Sequence, residues 1–144
     1  MFKEVTQEKI NVELTWKGGV CSEIKMRNHT ITIDSGRDEG GEDLGPTAPE
    51  VFLAALGACV MTNISRIGKK MRLDIENVSM EIKGVKEHNG HPSSFMALDI
   101  EVSIKANGKD RDKFERLVEL SEKNCTVSNT VKNAVATKIT LQLI

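Results

Sequence analysis

No charge interrupts the chain between Glu50 and Arg66. Across this region Phe52, Leu53, Leu56, Cys59, Val60, Ile64 and Ile67 recur at helical spacing. A helix with so wide an apolar face is stable only when another element covers it. Pro49 suits the first helical turn, with Thr47 or Ala48 as cap, and Gly68 with Lys69-Lys70 suits the end. Ala54, Ala55, Gly57 and Ala58 make the centre thin, which permits very close approach by another helix. The uncharged run Val51 to Ser65 contains Thr62 and Asn63, and reads as too short and too polar to span a bilayer.

Strand-like alternation surrounds this helix. Val12, Leu14 and Trp16 point one way and Glu13, Thr15 and Lys17 the other, the pattern of a half-buried strand. Gly18-Gly19 signals a two-residue hairpin. A second run follows with Val20, Ile24 and Met26 on one face, then a turn at Asn28-His29 and a short strand from Thr30 to Asp34. Ser35 to Ala48 has no hydrophobic period and is rich in glycine and charge, so it reads as a long loop of the functional or mobile kind. Beyond the helix, Val78, Met80 and Ile82 share one face of a strand, and Leu98, Ile100, Val102 and Ile104 share one face of another. Lys86 to Ser93, with Asn89-Gly90, makes the hairpin between them.

Phe114, Leu117, Val118 and Ser121 form the stripe of a second helix over Asp110 to Asn124, and Cys125 continues that stripe. Thr126 to Val135 reads as a further short helix capped by Thr126 or Ser128. Ile139, Leu141 and Leu143 alternate in a last strand. Strands, helix, strands, helices and strand in that order specify an α+β fold, and 144 residues suit a single domain.

Twenty Lys plus Arg against 21 Asp plus Glu leave no field of one sign to attract nucleic acid or a membrane surface. One Trp, four Phe and no Tyr give little for bases to stack on. The N-terminus, MFKEVTQEKI, carries charge where a signal peptide has an apolar segment, so a cytoplasmic chain is expected. His88 and His91 flank a hairpin tip and His29 a turn, and all three read as solvated rather than metal-binding. Phosphate-loop, dinucleotide-binding, nucleophile-elbow and zinc-protease patterns do not occur.

Three cysteines without a Cys-x-x-Cys pair disfavour a disulfide scaffold and a structural zinc site. Cys21, on the polar face of its strand, reads as an incidental surface thiol. Cys59 alone is a small buried hydrophobe, and Cys125 reads the same way at a junction of helices. As a pair they carry chemistry only if the fold brings them together.

Gly45 to Cys59, a Pro-Glu helix start running through small residues to a cysteine, strongly resembles the first cysteine motif of the OsmC/Ohr family. Cys125-Thr126-Val127-Ser128-Asn129-Thr130, followed by the strand from Lys138 to Leu143, is similar to the second. The resemblance covers essentially the whole chain. It implies an OsmC-like fold, with antiparallel sheets around two central helices in an intertwined homodimer. It also implies thiol-dependent reduction of organic hydroperoxides to alcohols, with an external dithiol as reductant and no bound cofactor. By the same resemblance Cys59 is the peroxidatic cysteine and Cys125 the resolving one, joined as a disulfide during turnover.

The family pairs an arginine with a glutamate to hold the first cysteine as thiolate. Glu50 matches that glutamate, and Arg37, in the loop before the helix, fits the arginine of one branch. Nine residues separate Glu50 from Cys59, about 13.5 Å along a straight helix and on opposite faces. Glu50 therefore acts by orienting Arg37, or the arrangement here is a different one. The rival reading is a dimeric domain of the same fold that binds a small apolar ligand with inert thiols.

Overall fold

The computed structural model describes residues 6–87, 93–108 and 110–144. His88, His91 and the Asn89-Gly90 turn lie outside the described residues. Two compact units make up the chain, one ending at Val51 and the other running from Phe52 to Ile144.

In the first unit, β1 (Glu13–Gly18), β2 (Cys21–Met26) and β3 (His29–Ile33) form an antiparallel sheet in that order. Gly18 and Gly19 both sit at positive φ, 103° and 55°, which a tight hairpin needs and a side chain resists. The second turn comes one residue earlier than the sequence suggests. Met26 pairs with His29, so Arg27 and Asn28 form it, with Arg27 at φ 54°. This register keeps Ile24 opposite Ile31 on one face of the sheet. The apolar face of β1 is not half-buried: Leu14 is 63% and Trp16 73% exposed. Alternation shows which side chains share a face, but not whether the chain's own residues cover it.

The long loop after β3 is tied to one buried carboxylate. Asp34 accepts the N–H of Glu42 at 3.0 Å and of Leu44 at 3.1 Å, and its own N–H donates to the Pro46 carbonyl at 3.1 Å. The Leu44 and Ser35 amides, with that of Glu42, hold its carboxyl below the ordinary 3.8 against the opposing effect of burial. A depressed carboxylate stabilises the fold above its unfolded pKa, and the contribution is lost as pH falls through the lower folded value. Acidification below about pH 4 is therefore expected to release this loop. Asp34→Ala should release it at neutral pH, seen as faster hydrogen exchange at the Glu42 and Leu44 amides. Unchanged exchange at both would remove Asp34 as the anchor.

The apolar helix α1 (Ala48–Lys70) is followed by β4 (Asp74–Lys86), β5 (Phe95–Asn107), α2 (Arg111–Lys123), α3 (Thr126–Val131) and β6 (Ala136–Leu143). The second sheet has the order β4-β5-β6. β4 and β5 are antiparallel, with Val78 opposite Ile104, Met80 opposite Val102 and Ile82 opposite Ile100. β6 departs from the expected antiparallel sheets: it runs parallel to β5, with Ile100 opposite Ile139 and Val102 opposite Leu141. The α2–α3 crossover returns the chain to the start of β5, so the next strand must run in the same direction.

Leu56, Val60 and Ile64 of α1 are fully buried in one cluster with Leu98, Ile100, Val102 and Ile104 of β5 and Phe114 and Leu117 of α2. Each such side chain contributes about 1.5–3 kcal/mol of burial free energy. Asn63 Nδ2 donates to the Ser121 carbonyl at 3.2 Å, joining α1 to α2. By length and composition alone α1 is long and apolar enough to cross a membrane, contrary to the sequence reading. The helix extends past both bounding charges to 23 residues, and its Leu56, Val60 and Ile64 are core residues of the second unit.

Gly57 also corrects an expectation. It does not lie on a face left for another helix. A side chain built there would run into Ile82 and meet the Met80 sulfur at 3.3 Å, so the missing side chain lets α1 settle on β4. Of the four small residues at the centre of α1, Ala54, Ala55 and Ala58 are the exposed ones.

Candidate functional site

Cys59 lies on α1 between the core-facing Leu56 and Val60, turned to the margin of that face, and is half-buried. Cys125 follows the buried stripe Phe114, Leu117, Val118 and Ser121 of α2 and is fully buried. Its N–H donates to the Glu122 carbonyl at 2.9 Å. Both thiols are free.

The cap of α3 is neither Thr126 nor Ser128 but Cys125 itself. Its backbone is extended, at φ −82° and ψ 115°, and its sulfur accepts the Ser128 N–H at 3.3 Å. Helical geometry begins at Thr126, so the residue before it is the one whose side chain can turn back onto the third helical amide. The amides of Thr126 and Val127 have no partners inside the helix. They serve Cys59 instead.

This arrangement polarises the two thiols in opposite directions. Burial raises the Cys59 thiol. The Cys125 thiol and the Val127 and Thr126 amides outweigh it by hydrogen bonding to the sulfur, and the result lies below the ordinary 9.0. Burial pushes the Cys125 thiol up, and the neighbouring Cys59 sulfur adds to the rise, while the Ser128 hydroxyl and amide oppose it. Negative charge is therefore favoured on Cys59 and the proton on Cys125. A thiolate held by fixed donors beside a protonated thiol is suited to nucleophilic attack followed by disulfide closure.

Glu50 and Arg37 belong to the first unit. Glu50 completes a reciprocal cap at the start of α1: its carboxylate accepts the Thr47 N–H at 2.7 Å and the Thr47 hydroxyl at 3.0 Å, and its N–H faces Thr47 Oγ at 3.4 Å. The Thr47 amide and then its hydroxyl hold this carboxyl below the ordinary 4.5, against burial. Arg37 opens the 3₁₀ turn Arg37–Glu39. The structure thus brings Cys59 and Cys125 together within one unit and gives Glu50 a partner in Thr47.

Sequence reasoning missed what Ser128 and the Thr126 and Val127 amides do. The available signal was the Cys-x-x-Ser spacing, which equals the interval from a helix cap to its third residue. Ser128 is buried, and its hydroxyl has no hydrogen-bond partner among the described residues.

The family described as OsmC-like protein matches residues 40–140 of the chain. No curated protein matches the sequence. Among solved structures, an OsmC-like protein from Mycoplasma pneumoniae is 14% identical with a TM-score of 0.85, over 96% of this chain and 99% of that one. A hypothetical protein from Aquifex aeolicus VF5 is 23% identical with a TM-score of 0.81, over 96% and 98%. An organic hydroperoxide resistance protein OsmC from Legionella pneumophila is 18% identical with a TM-score of 0.71, over 96% and 99%. At these identities the likeness is one of fold. The matched segment runs through both cysteine motifs and most of the second sheet, and the chain belongs to the OsmC-like protein family.

Proposed function

We propose that the protein is a thiol peroxidase that reduces organic hydroperoxides to alcohols through Cys59 and Cys125. The observation that carries this reading is the pairing of the two cysteines at the start of α3, where Cys125 is the cap and the surroundings lower the Cys59 pKa and raise that of Cys125. Solved structures of the same fold are named organic hydroperoxide resistance proteins, which agrees with it.

In the first step the Cys59 thiolate attacks the terminal peroxide oxygen. The O–O bond breaks, sulfur becomes sulfenic acid, and the alkoxide takes a proton to leave as alcohol. The Cys125 sulfur then attacks the Cys59 sulfur. The S–O bond breaks, hydroxide leaves with the former thiol proton as water, and a disulfide remains. An external dithiol reduces that disulfide by exchange and is itself oxidised to its cyclic disulfide. Phe52, stacked on Phe95 with ring centroids 5.7 Å apart, lies two turns before Cys59 on α1. With Leu56 it makes the helix beside the thiol apolar, which favours alkyl hydroperoxides over hydrogen peroxide.

From the family resemblance we also propose Arg37 as the guanidinium that acts on Cys59; Glu50 holds the start of α1 through Thr47. A cation within about 4–6 Å of a thiol lowers its pKa by one or more units. We also propose a homodimer, in which a second copy of this chain covers the exposed apolar face of Leu14 and Trp16.

The test is the pH dependence of Cys59 alkylation in a Cys21→Ser, Cys125→Ser background. Half-maximal reactivity is expected below that of a free cysteine, about pH 8.5, and Arg37→Met should shift it upward. A Cys59 that alkylates no faster than a free thiol near neutral pH favours the inert binding domain. An unshifted profile in Arg37→Met removes Arg37 from the site.

A further inference from the structure

Ser128 presents an anomaly that the fold alone does not explain. Its side chain is 4% exposed, yet its hydroxyl makes no well-formed hydrogen bond among the described residues, although its amide is bonded to the Cys125 sulfur at 3.3 Å and the hydroxyl itself favours charge on that sulfur. Leaving a buried hydroxyl unpaired is costly, and Ala fills nearly the same space at no such cost. A partner in another state of the molecule would offset that cost.

The neighbour whose acceptor strength changes is Cys125. A neutral thiol is a weak acceptor, and a thiolate is a strong one. In the reduced protein burial and the Cys59 sulfur keep Cys125 protonated, so the hydroxyl has little to bond. Once Cys59 has become a sulfenic acid, the second sulfur must develop negative charge within the core before it can attack. It must do so again in reverse, as the leaving group, when a dithiol reopens the disulfide. The hydroxyl and amide of Ser128 are the groups that favour charge on this sulfur.

We propose that the Ser128 hydroxyl is a donor held ready for the Cys125 thiolate, acting in disulfide closure and reopening and not in the attack on peroxide. This role rests on the peroxidase reading above. It divides the donors of the site between the two sulfurs: the Thr126 and Val127 amides serve Cys59, and the Ser128 amide and hydroxyl serve Cys125. A low-pKa thiol leaves faster and resolves at lower pH, so one hydroxyl assists both half-reactions.

Two measurements on the full chain test this, and only one needs peroxide. In a Cys21→Ser, Cys59→Ser background Cys125 is the sole thiol, and its ionisation is read from ultraviolet thiolate absorbance. Ser128→Ala should move the midpoint up by about one pH unit, and Ser128→Thr, which keeps a hydroxyl, should recover part of that shift. Equal midpoints with and without the hydroxyl overturn the inference.

In the otherwise unsubstituted protein, single-turnover mixing with cumene hydroperoxide separates the two steps. Ser128→Ala should form the Cys59 sulfenic acid at the wild-type rate. It should then convert that acid to disulfide about tenfold more slowly, leaving more of it for dimedone to trap. Thermal stability should be equal or higher, because an unpaired hydroxyl has been removed; a large loss of stability with unchanged resolution means a structural role and rejects the proposal. If the wild type forms no sulfenic acid, the peroxidase reading fails. If it forms one that Ser128→Ala resolves at the wild-type rate, only the role of Ser128 fails.

Discussion

Cys59→Ser should abolish turnover of cumene hydroperoxide in excess dithiol, while Cys125→Ser should reduce one equivalent and then stop. The two variants differ because the surroundings favour charge on the Cys59 sulfur and the proton on that of Cys125. Cys59 is the sulfur supplied with donors from Cys125, Val127 and Thr126, and a serine hydroxyl at that position stays protonated and does not attack peroxide. At position 125 serine should fold well, since it is a stronger helix cap than cysteine and can accept the same Ser128 amide. That variant isolates chemistry from stability: Cys59 should be oxidised once and remain as sulfenic acid, open to a trapping reagent. Full multiple turnover by Cys59→Ser would show that the peroxidatic residue has been misassigned. Full turnover by Cys125→Ser would show that the exchanging dithiol, not Cys125, resolves the intermediate.

Gly57→Leu should be the most damaging single substitution in α1 away from the cysteines. The side chain has nowhere to go, because Ile82 and Met80 of β4 already occupy the space beside the glycine. Overpacking of this kind costs at least about 1–3 kcal/mol, and here the neighbours are a paired strand that cannot easily retreat. Thermal unfolding should show the loss directly. Sedimentation distinguishes this account from one based on helix contact between subunits. Under the proposed homodimer the Gly57→Leu chain that remains folded should still sediment as a dimer, like the wild type. A variant with unchanged melting temperature that sediments as a monomer would return Gly57 to the subunit contact.

Gly57 marks the limit of what spacing along a chain can supply. Periodicity located α1 and its apolar residues, because a helix face is a property of spacing alone. It could not say which side of a thin helix meets the chain's own sheet. The same holds for β1, whose alternation is real although Leu14 and Trp16 are exposed. The faces of β4 and β5 were legible because long regular alternation leaves one register that buries all the apolar residues. The direction of β6 was not, since pattern is identical for parallel and antiparallel neighbours; only the α2–α3 crossover decides it.

At the site, the cysteines were visible through motifs, and nothing in their spacing placed one sulfur against the other. Cys125 as the cap of α3 was hidden because cysteine is not among the usual capping residues. The orphaned hydroxyl of Ser128 was hidden for a more general reason. A missing hydrogen bond is a fact of three dimensions.

The central claim is that Cys59 and Cys125 act together on a peroxide oxygen, and the most direct measurement is stoichiometric. The reduced protein is mixed with increasing cumene hydroperoxide without dithiol, then digested and examined by mass spectrometry alongside assay of the remaining peroxide. The account predicts one Cys59–Cys125 disulfide formed for each peroxide consumed, with Cys21 still a free thiol. Peroxide left unconsumed with all three thiols intact, or consumption that oxidises Cys21 while Cys59 and Cys125 stay reduced, would contradict it.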